Sequence, residues 1–205
     1  SIDAKVHVRD LRFDGEMEGA VDLDATTQGE EMTLKGVSQF ANADLQMNGT
    51  VHLRGSFPSR FAVTFRNLDI DPVFAAYVKQ LHTTSHTLLA GRVEMSGPLR
   101  YPEQFTARGQ VDSFAAGIEN IKVSNQGPIL FSLKNQVVGI DQLHLVGEGT
   151  DFTATGQAGL TGKREMAARA TGSVNMRILQ SFSPEYTSSG LTTIDLNANS
   201  TVQQP

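Results

Sequence analysis

The chain has no cysteine and no tryptophan, and its 205 residues include only 17 Lys and Arg and 3 Tyr. Without cysteine there is neither a disulfide framework nor a thiolate metal site, a composition that suits a reducing cytoplasm and an oxidising periplasm equally. The 22 Asp and Glu set a formal net charge of −5, and no basic run occurs. Nucleic acid is therefore disfavoured as a partner, because its binding rests on cationic contacts to phosphate. No stretch reaches the ~18–20 consecutive apolar residues that a membrane-spanning helix requires. Ser1 opens directly into a strand-like pattern, with no charged and apolar leader before it. Thr201-Val-Gln-Gln-Pro205 stops on a proline just after an alternating segment, much as Pro58 and Pro102 follow earlier ones, so the chain reads as one β segment, 1–205, of a longer repetitive protein.

What is present is alternation with a period of two, the signature of strands with one oily and one wet face. From Ala43 it runs through Leu45, Met47, Gly49, Val51, Leu53, Gly55 and Phe57, with Asp44, Gln46, Asn48, Thr50, His52, Arg54 and Ser56 between. The pattern recurs at Val6-Val8, Val21-Leu23, Phe61-Val63-Phe65, Phe105 to Val111, Ile129-Phe131-Leu133, Leu143-Leu145, Phe152 to Leu160, Met166 to Met176 and Ile194-Leu196. Parallel strands buried on both faces would show unbroken Val/Ile/Leu runs, so a doubly wound α/β fold is disfavoured.

Turn residues punctuate these runs at Asp14-Gly15, Gln28-Gly29, Phe57-Pro58-Ser59, Ser96-Gly97-Pro98, Asn125-Gln126-Gly127-Pro128, Gly147-Glu148-Gly149 and Thr161-Gly162-Lys163, which predicts an antiparallel meander. Helix is expected at two places only. Asp71-Pro72 offers a cap and a first-turn proline ahead of Val73, Phe74, Tyr77, Val78 and Leu81, predicting a helix over 72–81. Asn175 offers a second cap for a helix over 176–183, closed by Ser183-Pro184. Segments 61–102 and 166–205 share one order of strand, short helix, polar loop and Gly-led strand, an internal repeat by order and spacing. Roughly fourteen strands spaced ~4.8 Å apart give a sheet ~65 Å long. Two short helices cannot cover its oily face, so the sheet is expected to curl over on itself.

Catalytic chemistry finds little support. His82 and His86 have the i,i+4 spacing of helical metal ligands, but no Glu follows the first His and the segment lies past the expected helix end; no metal site is expected. Gly147-Glu-Gly149-Thr-Asp-Phe152 begins like a dinucleotide loop, yet a strand follows where a helix would have to supply its N-terminus, so it reads as a hairpin turn. Asp22 and Asp24 share the wet face of a strand, Asp69 and Asp71 lead into a helix start, and Glu30, Glu31 and Asp141 have no local feature that would retune them for acid–base work. There is no G-x-S-x-G elbow and no Walker loop. The expectation is a non-enzymatic protein without a cofactor.

Eleven Phe against 3 Tyr means that the large rings mostly lack a polar handle. Together with six flexible Met side chains they make either an ordinary sandwich core or an adaptable surface for apolar ligands. On the second reading, the residues expected to line the face and contact lipid are Leu45, Met47, Val51, Leu53, Phe61, Val63, Phe65, Val93, Met95, Phe105, Val111, Ile129, Phe131, Leu133, Leu143, Leu145, Phe152, Val174 and Met176.

Over 88–160, Leu89-Ala-Gly-Arg-Val-Glu-Met-Ser-Gly-Pro-Leu-Arg-Tyr-Pro102, Ser124-Asn-Gln-Gly-Pro-Ile129 and Leu143-His-Leu-Val-Gly-Glu-Gly-Thr-Asp-Phe-Thr-Ala-Thr-Gly156 resemble the TamB family of the translocation and assembly module, related to AsmA-like proteins. The resemblance extends more weakly over 1–60. It implies a long β-sheet curled into a taco-like trough with an apolar interior, in a periplasmic protein anchored in the inner membrane and reaching towards the outer one. It also implies phospholipid transport and support of outer-membrane biogenesis, with an outer-membrane barrel protein as partner and no catalytic residues. Three readings follow: a trough conducting phospholipid acyl chains, a chaperone-like scaffold for outer-membrane β-barrel proteins, and a passive β-repeat stalk.

Overall fold

Alternating apolar and polar residues cannot bury their oily side as isolated strands, and hairpin-sized connections let consecutive strands pair at once. A computed structural model describes residues 3–13, 17–40, 43–69, 87–118, 121–161, 164–177 and 189–202. Its strands are β1 (Asp3–Phe13), β2 (Met17–Gln28), β3 (Glu31–Phe40), β4 (Ala43–His52), β5 (Pro58–Asp69), β6 (Thr87–Pro98), β7 (Thr106–Ile118), β8 (Ile121–Asn125), β9 (Ile129–Lys134), β10 (Val137–Gly147), β11 (Thr150–Gly159), β12 (Arg164–Asn175) and β13 (Leu191–Val202).

All thirteen strands form one antiparallel sheet in chain order, as the meander pattern predicts. β8 and β9 both lie between β7 and β10, one beyond the other, so the sheet has twelve strand positions. Among the described residues β1 and β13 are the two ends of the strand order and do not pair with each other, so these strands do not close into a barrel. Among the described residues the only complete helical element is a 3-10 turn at Pro102–Gln104. The expected helix over 72–81 lies outside the described residues. Of the one over 176–183 only Met176 and Arg177 are described; they begin a helical turn, and the Asn175 side chain accepts a hydrogen bond from the Arg177 N–H at 3.1 Å, the capping role its sequence position suggests.

Several expected turns fall elsewhere. β4 stops at His52, and the chain reverses over 53–57 with Gly55 at φ 65 and Phe57 at φ 56, so Pro58 opens β5 instead of sitting in the turn. A strand's first position tolerates the missing N–H of proline. Ser96-Gly97-Pro98 stays inside β6, Gly97 opposite Ser59, and the turn follows it, with the Tyr101 N–H donating to Pro98 O at 3.0 Å. Asn125-Gln126-Gly127-Pro128 does not reverse the chain at all but separates β8 from β9 within one strand position. The hairpin at Gly147-Glu148-Gly149 forms as expected, with Gly147 opposite Thr150 and Gly149 at φ 69.

Extra residues bulge from β1 between Val8 and Leu11, from β5 between Phe65 and Leu68, from β7 at Asp112 and from β10 between Ile140 and Leu143. A bulge bends its strand and increases the local twist. It also flips the parity of the pattern, so the oily series passes from Val63 and Phe65 to Leu68, from Gly109 and Val111 to Phe114, and from Ile140 to Leu143. The Asn125 side chain stitches the β8–β9 break by accepting from the Phe114 N–H at 2.8 Å and donating to Asp112 O and Gly127 O.

Burial is shallow for so much apolar material. Among described apolar residues only Ala43, Val51, Phe65, Val111, Ala116, Val123 and Ala170 are buried, and Val51 is the one larger side chain fully excluded from solvent. A filled sandwich core would bury the alternate residues of both inner faces. Side chains on the oily face are instead mostly half-buried against their neighbours on the same sheet.

A candidate apolar ligand face

Register carries the oily parity of each strand onto the next without a slip. One row across all twelve positions reads Val6, Leu23, Gly36, Met47, Val63, Val93, Gly109, Phe131, Ile140, Gly156, Ala168 and Ala198. Every member is apolar or glycine. A one-residue slip at any pair would send the following strands' apolar residues to the opposite side, so this continuity is strongly specified.

Flanking rows carry most of the expected lining residues. Leu45, Phe65, Gly91, Val111 and Ile129 follow one another from β4 to β9, as do Gly49, Phe61, Met95, Ala107 and Leu133. Beyond the β10 bulge, Leu145 faces Phe152, which faces Gly172, and Leu143 faces Ala154, which faces Ala170. Val174 lies opposite Thr192 on β13. Between β4 and β9 the face is built from large side chains, whereas on β11 and β12 it is mostly Ala and Gly.

Three expected residues lie outside the strands. Leu53 is in the β4–β5 turn, 36% exposed, its N–H bonded to Glu30 O at 2.7 Å. Phe105 follows the 3-10 turn and sits so close to Gly97 that a Cβ there would come within 2.9 Å of it. Met176 begins the helical turn after β12. In each case the alternation in the sequence extends past the residues that pair as strand. Residues on this face that the expected set omits include Leu68 and Phe114, both past bulges, Leu89, which faces both of them, and Val138 and Ile140, which face Leu133 and Phe131. The signal for Leu68 and Phe114 is the pair of apolar residues three apart, Phe65 and Leu68 or Val111 and Phe114, which is a strand pattern with one residue inserted; Leu89, Val138 and Ile140 lie in plain alternation.

Large side chains on this face lean over glycines of the adjacent strand. A Cβ on Gly109 would lie 1.9 Å from the Phe131 ring, one on Gly49 2.4 Å from that of Phe61, and one on Gly36 3.3 Å from Met47 Cε. Each glycine is thus the space its partner fills.

The opposite face is polar and laced by exposed cross-strand pairs. Lys5 meets Asp24 at 3.9 Å, His7 meets Asp22, Glu30 meets both His52 and Arg54, and His144 meets Asp151 at 2.8 Å. Such pairs are worth ~0–1 kcal/mol each and set register more than stability. A hollow of about 960 Å³ is lined by Asn48, Thr50, Arg60, Glu94, Arg108 and Lys134 of the wet series together with Phe61, Met95 and Leu133 of an apolar row, and a second of about 680 Å³ by Thr155, Gln157, Arg169 and Asn197 together with Ile140 and Ala168. Both have linings of mixed polarity and mixed charge. Among the described residues no three His, Asp or Glu side chains converge as metal ligands would. His82 and His86 lie outside the described residues, as does Asp71.

No helix among the described residues is long and apolar enough to cross a membrane. Comparison with family models, with curated proteins and with solved structures finds no match.

Proposed function

We propose that the chain is a non-catalytic conduit for lipid acyl chains, which lie along its apolar face. The observation that carries this reading is the unbroken apolar row across twelve strand positions, its side chains half-buried or, at Val6 and Ile140, exposed, and paired only with strands of the same sheet among the described residues. Burying a Leu, Val or Phe side chain fully is worth ~1.5–3 kcal/mol, and a half-exposed side chain leaves part of that gain for a ligand to realise. Such contacts are non-directional, so an acyl chain can shift along the rows without losing a fixed set of hydrogen bonds. In the setting suggested by the resemblance to TamB, the sheet would curl into a taco-like trough with this face inside. Phospholipid would pass along it through the periplasm, between an inner-membrane anchor and an outer-membrane barrel partner.

The test uses a photo-crosslinking residue at Phe131, on the apolar face, and another at Thr50, on the wet face. Lipid captured at Phe131 and not at Thr50 is the expected result. Capture at Thr50 alone would invert the assignment of faces, and native mass spectrometry showing no co-purifying lipid together with no capture at Phe131 would end the proposal.

A further inference from the structure

The apolar series does not stop where β4, β6 and β11 stop. Among the described residues five large exposed apolar side chains lie outside the strands, Leu53, Phe57, Leu99, Tyr101 and Leu160, each between 36% and 50% exposed. Every one continues, at a spacing of two, the oily series of the strand before it. Val51 leads through Leu53 and Gly55 to Phe57, Met95 and Gly97 lead to Leu99 and Tyr101, and Ala158 leads to Leu160. All five sit at the same end of the strands, because Val51 faces Ser59, Ser59 faces Gly97, Ala107 faces Leu133, and Val137 lies between Lys134 and Gly159. The other fully described reversals, Gly29-Glu30, Asn135-Gln136 and Glu148-Gly149, are polar apart from glycine. Loops are normally solvated, and clustered apolar residues exposed on them mark a place of contact.

We infer that the rim formed by the 53–57 and 99–105 turns rests on a phospholipid bilayer and is where acyl chains pass between membrane and apolar face; the inference rests on the acyl-chain reading above. Continuity is the first support. The oily series of β4 and β6 runs out into these turns with no charged residue in it, so hydrocarbon meets no polar step on the way. The backbone is the second. Hydrocarbon offers no hydrogen bonds, so a segment that enters it must satisfy its own polar groups. Here the N–H groups of Leu53, Leu99 and Arg100 donate to Glu30 O at 2.7 Å, Phe57 O at 3.0 Å and Ser56 O at 3.2 Å, zipping three neighbouring turns together. The Phe57 and Tyr101 N–H groups donate to Arg54 O and Pro98 O within their own turns. With these donors used, strand addition by a protein partner is disfavoured. Charge is the third. Arg54 is joined to Glu30, and Arg100 is offset by Glu103 in the same turn, which leaves the rim close to neutral. Apolar contact therefore carries the docking, and Tyr101 with the two Arg has the amphipathic form that suits the hydrocarbon boundary. So few side chains give weak, reversible docking, as a surface that takes up and releases lipid requires.

Because the chain has no tryptophan, a single introduced one reports on its own surroundings. With phosphatidylcholine vesicles, Tyr101→Trp should give a blue-shifted emission, and Glu148→Trp, in a reversal at the opposite end, should give none. Flotation of the unaltered chain with the same vesicles should show binding that salt leaves unchanged and that Phe57→Asp with Leu99→Asp weakens roughly tenfold. Phe57→Ser with Leu99→Ser repeats the comparison without adding charge, and circular dichroism melts check that each variant folds. Photo-capture at Phe131 of a short-chain phosphatidylcholine dissolved below its micelle concentration should be unaffected by these changes, whereas capture from vesicles should fall with them. Equal emission shifts at 101 and 148, or flotation indifferent to the changes at Phe57 and Leu99, overturn the inference while capture of the dissolved lipid at Phe131 keeps the acyl-chain reading. A vesicle-free mass above the monomer that the same changes abolish also overturns it, since the rim is then a contact between copies. Flotation without capture of either lipid at Phe131 ends the acyl-chain reading and this inference with it.

Discussion

Gly109→Ala should be among the most damaging single-methyl additions on the apolar face. Gly109 is buried in β7, directly opposite Phe131 on β9, and a Cβ placed on it would lie 1.9, 2.3 and 2.4 Å from three ring carbons of Phe131. No ring tolerates such an approach, so Phe131 must leave the position it holds over the glycine. Overpacking of this kind costs ~1–3 kcal/mol, and in a chain of this size each kcal/mol lowers Tm by ~2–4 °C. Gly117 lies in the same strand, but a Cβ there meets nothing within 4 Å. Gly117→Ala should therefore be neutral or stabilising by up to ~1 kcal/mol, because alanine restricts the unfolded chain. The proof of mechanism is a double-mutant cycle. Phe131→Leu alone removes packing and destabilises, but on a Gly109→Ala background it should recover stability, giving a coupling energy of at least ~1 kcal/mol. Thermal and urea melts of the four proteins and of Gly117→Ala supply the measurement. If Gly109→Ala costs no more than Gly117→Ala, or if the two changes are additive, then Phe131 does not rest on Gly109 and the apolar row is wrongly built.

The other expectations are briefer. Asn125→Ala deletes the acceptor of the Phe114 N–H and the donor to Asp112 O and Gly127 O, so it should cost ~1–3 kcal/mol and accelerate amide exchange at Phe114 ahead of the rest of β7; unchanged exchange there would contradict it. Gln136→Gly should raise stability by ~0.5 kcal/mol, because Asn135 and Gln136 both adopt positive φ, 53 and 60, in the β9–β10 turn, where glycine is at ease; a fall in Tm would show that the Gln136 bond to the Thr161 hydroxyl matters more. Phe131→Glu should abolish lipid transfer between donor and acceptor vesicles while Thr50→Glu leaves it unchanged, with equal loss in both refuting a one-sided path. Far-UV circular dichroism should give a helix fraction well below the ~30% average of globular proteins, and a value near that average would overturn the all-β assignment.

Strand identity and face were legible in the sequence because period two is a direct consequence of the pleat, and nothing tertiary competes with it in a one-layer sheet. Thus Leu45, Met47, Phe61, Val63, Val93, Met95 and Phe131 were assignable to one side from spacing alone, and register then brought them together. Strand ends were less legible, since alternation can run on into a turn. Leu53 and Phe57 keep the parity of β4, yet the chain reverses there because Gly55 and Phe57 take positive φ, and phenylalanine gives no warning of that conformation. The Asn135-Gln136 turn was missed for the same reason: it lacks the Gly that marks such turns. Asn125-Gln126-Gly127-Pro128 looks like a reversal because turn residues also build interruptions, and only the pairing of both β8 and β9 with β7 tells the two apart. The bulges on β1, β5, β7 and β10 carry no Gly or Pro that would announce them in the sequence, so the bends they put into those strands were not legible in the turn chemistry.

The placing of glycine on the apolar face bears on what the face is for. If large side chains stood side by side in every row, the surface would be ridged, and an acyl chain would settle between ridges. Here Met47 leans over Gly36, Phe61 over Gly49, Phe65 over Gly91 and Phe131 over Gly109, so a long side chain on one strand lies flat across the gap its neighbour leaves. The arrangement also shields a backbone that glycine would otherwise expose, removing polar patches from the path. On the proposed function, an apolar floor of this kind would offer a hydrocarbon similar contact at successive positions, which is a condition for sliding. On β11 and β12 the same level is reached with Ala154, Gly156, Ala168 and Ala170, which need no covering ring. Enlarging one of these, as in Ala168→Phe, should raise a step in the floor. It is therefore expected to slow lipid transfer while leaving equilibrium lipid occupancy nearly unchanged, a split between rate and occupancy that a pocket-type binding site would not show.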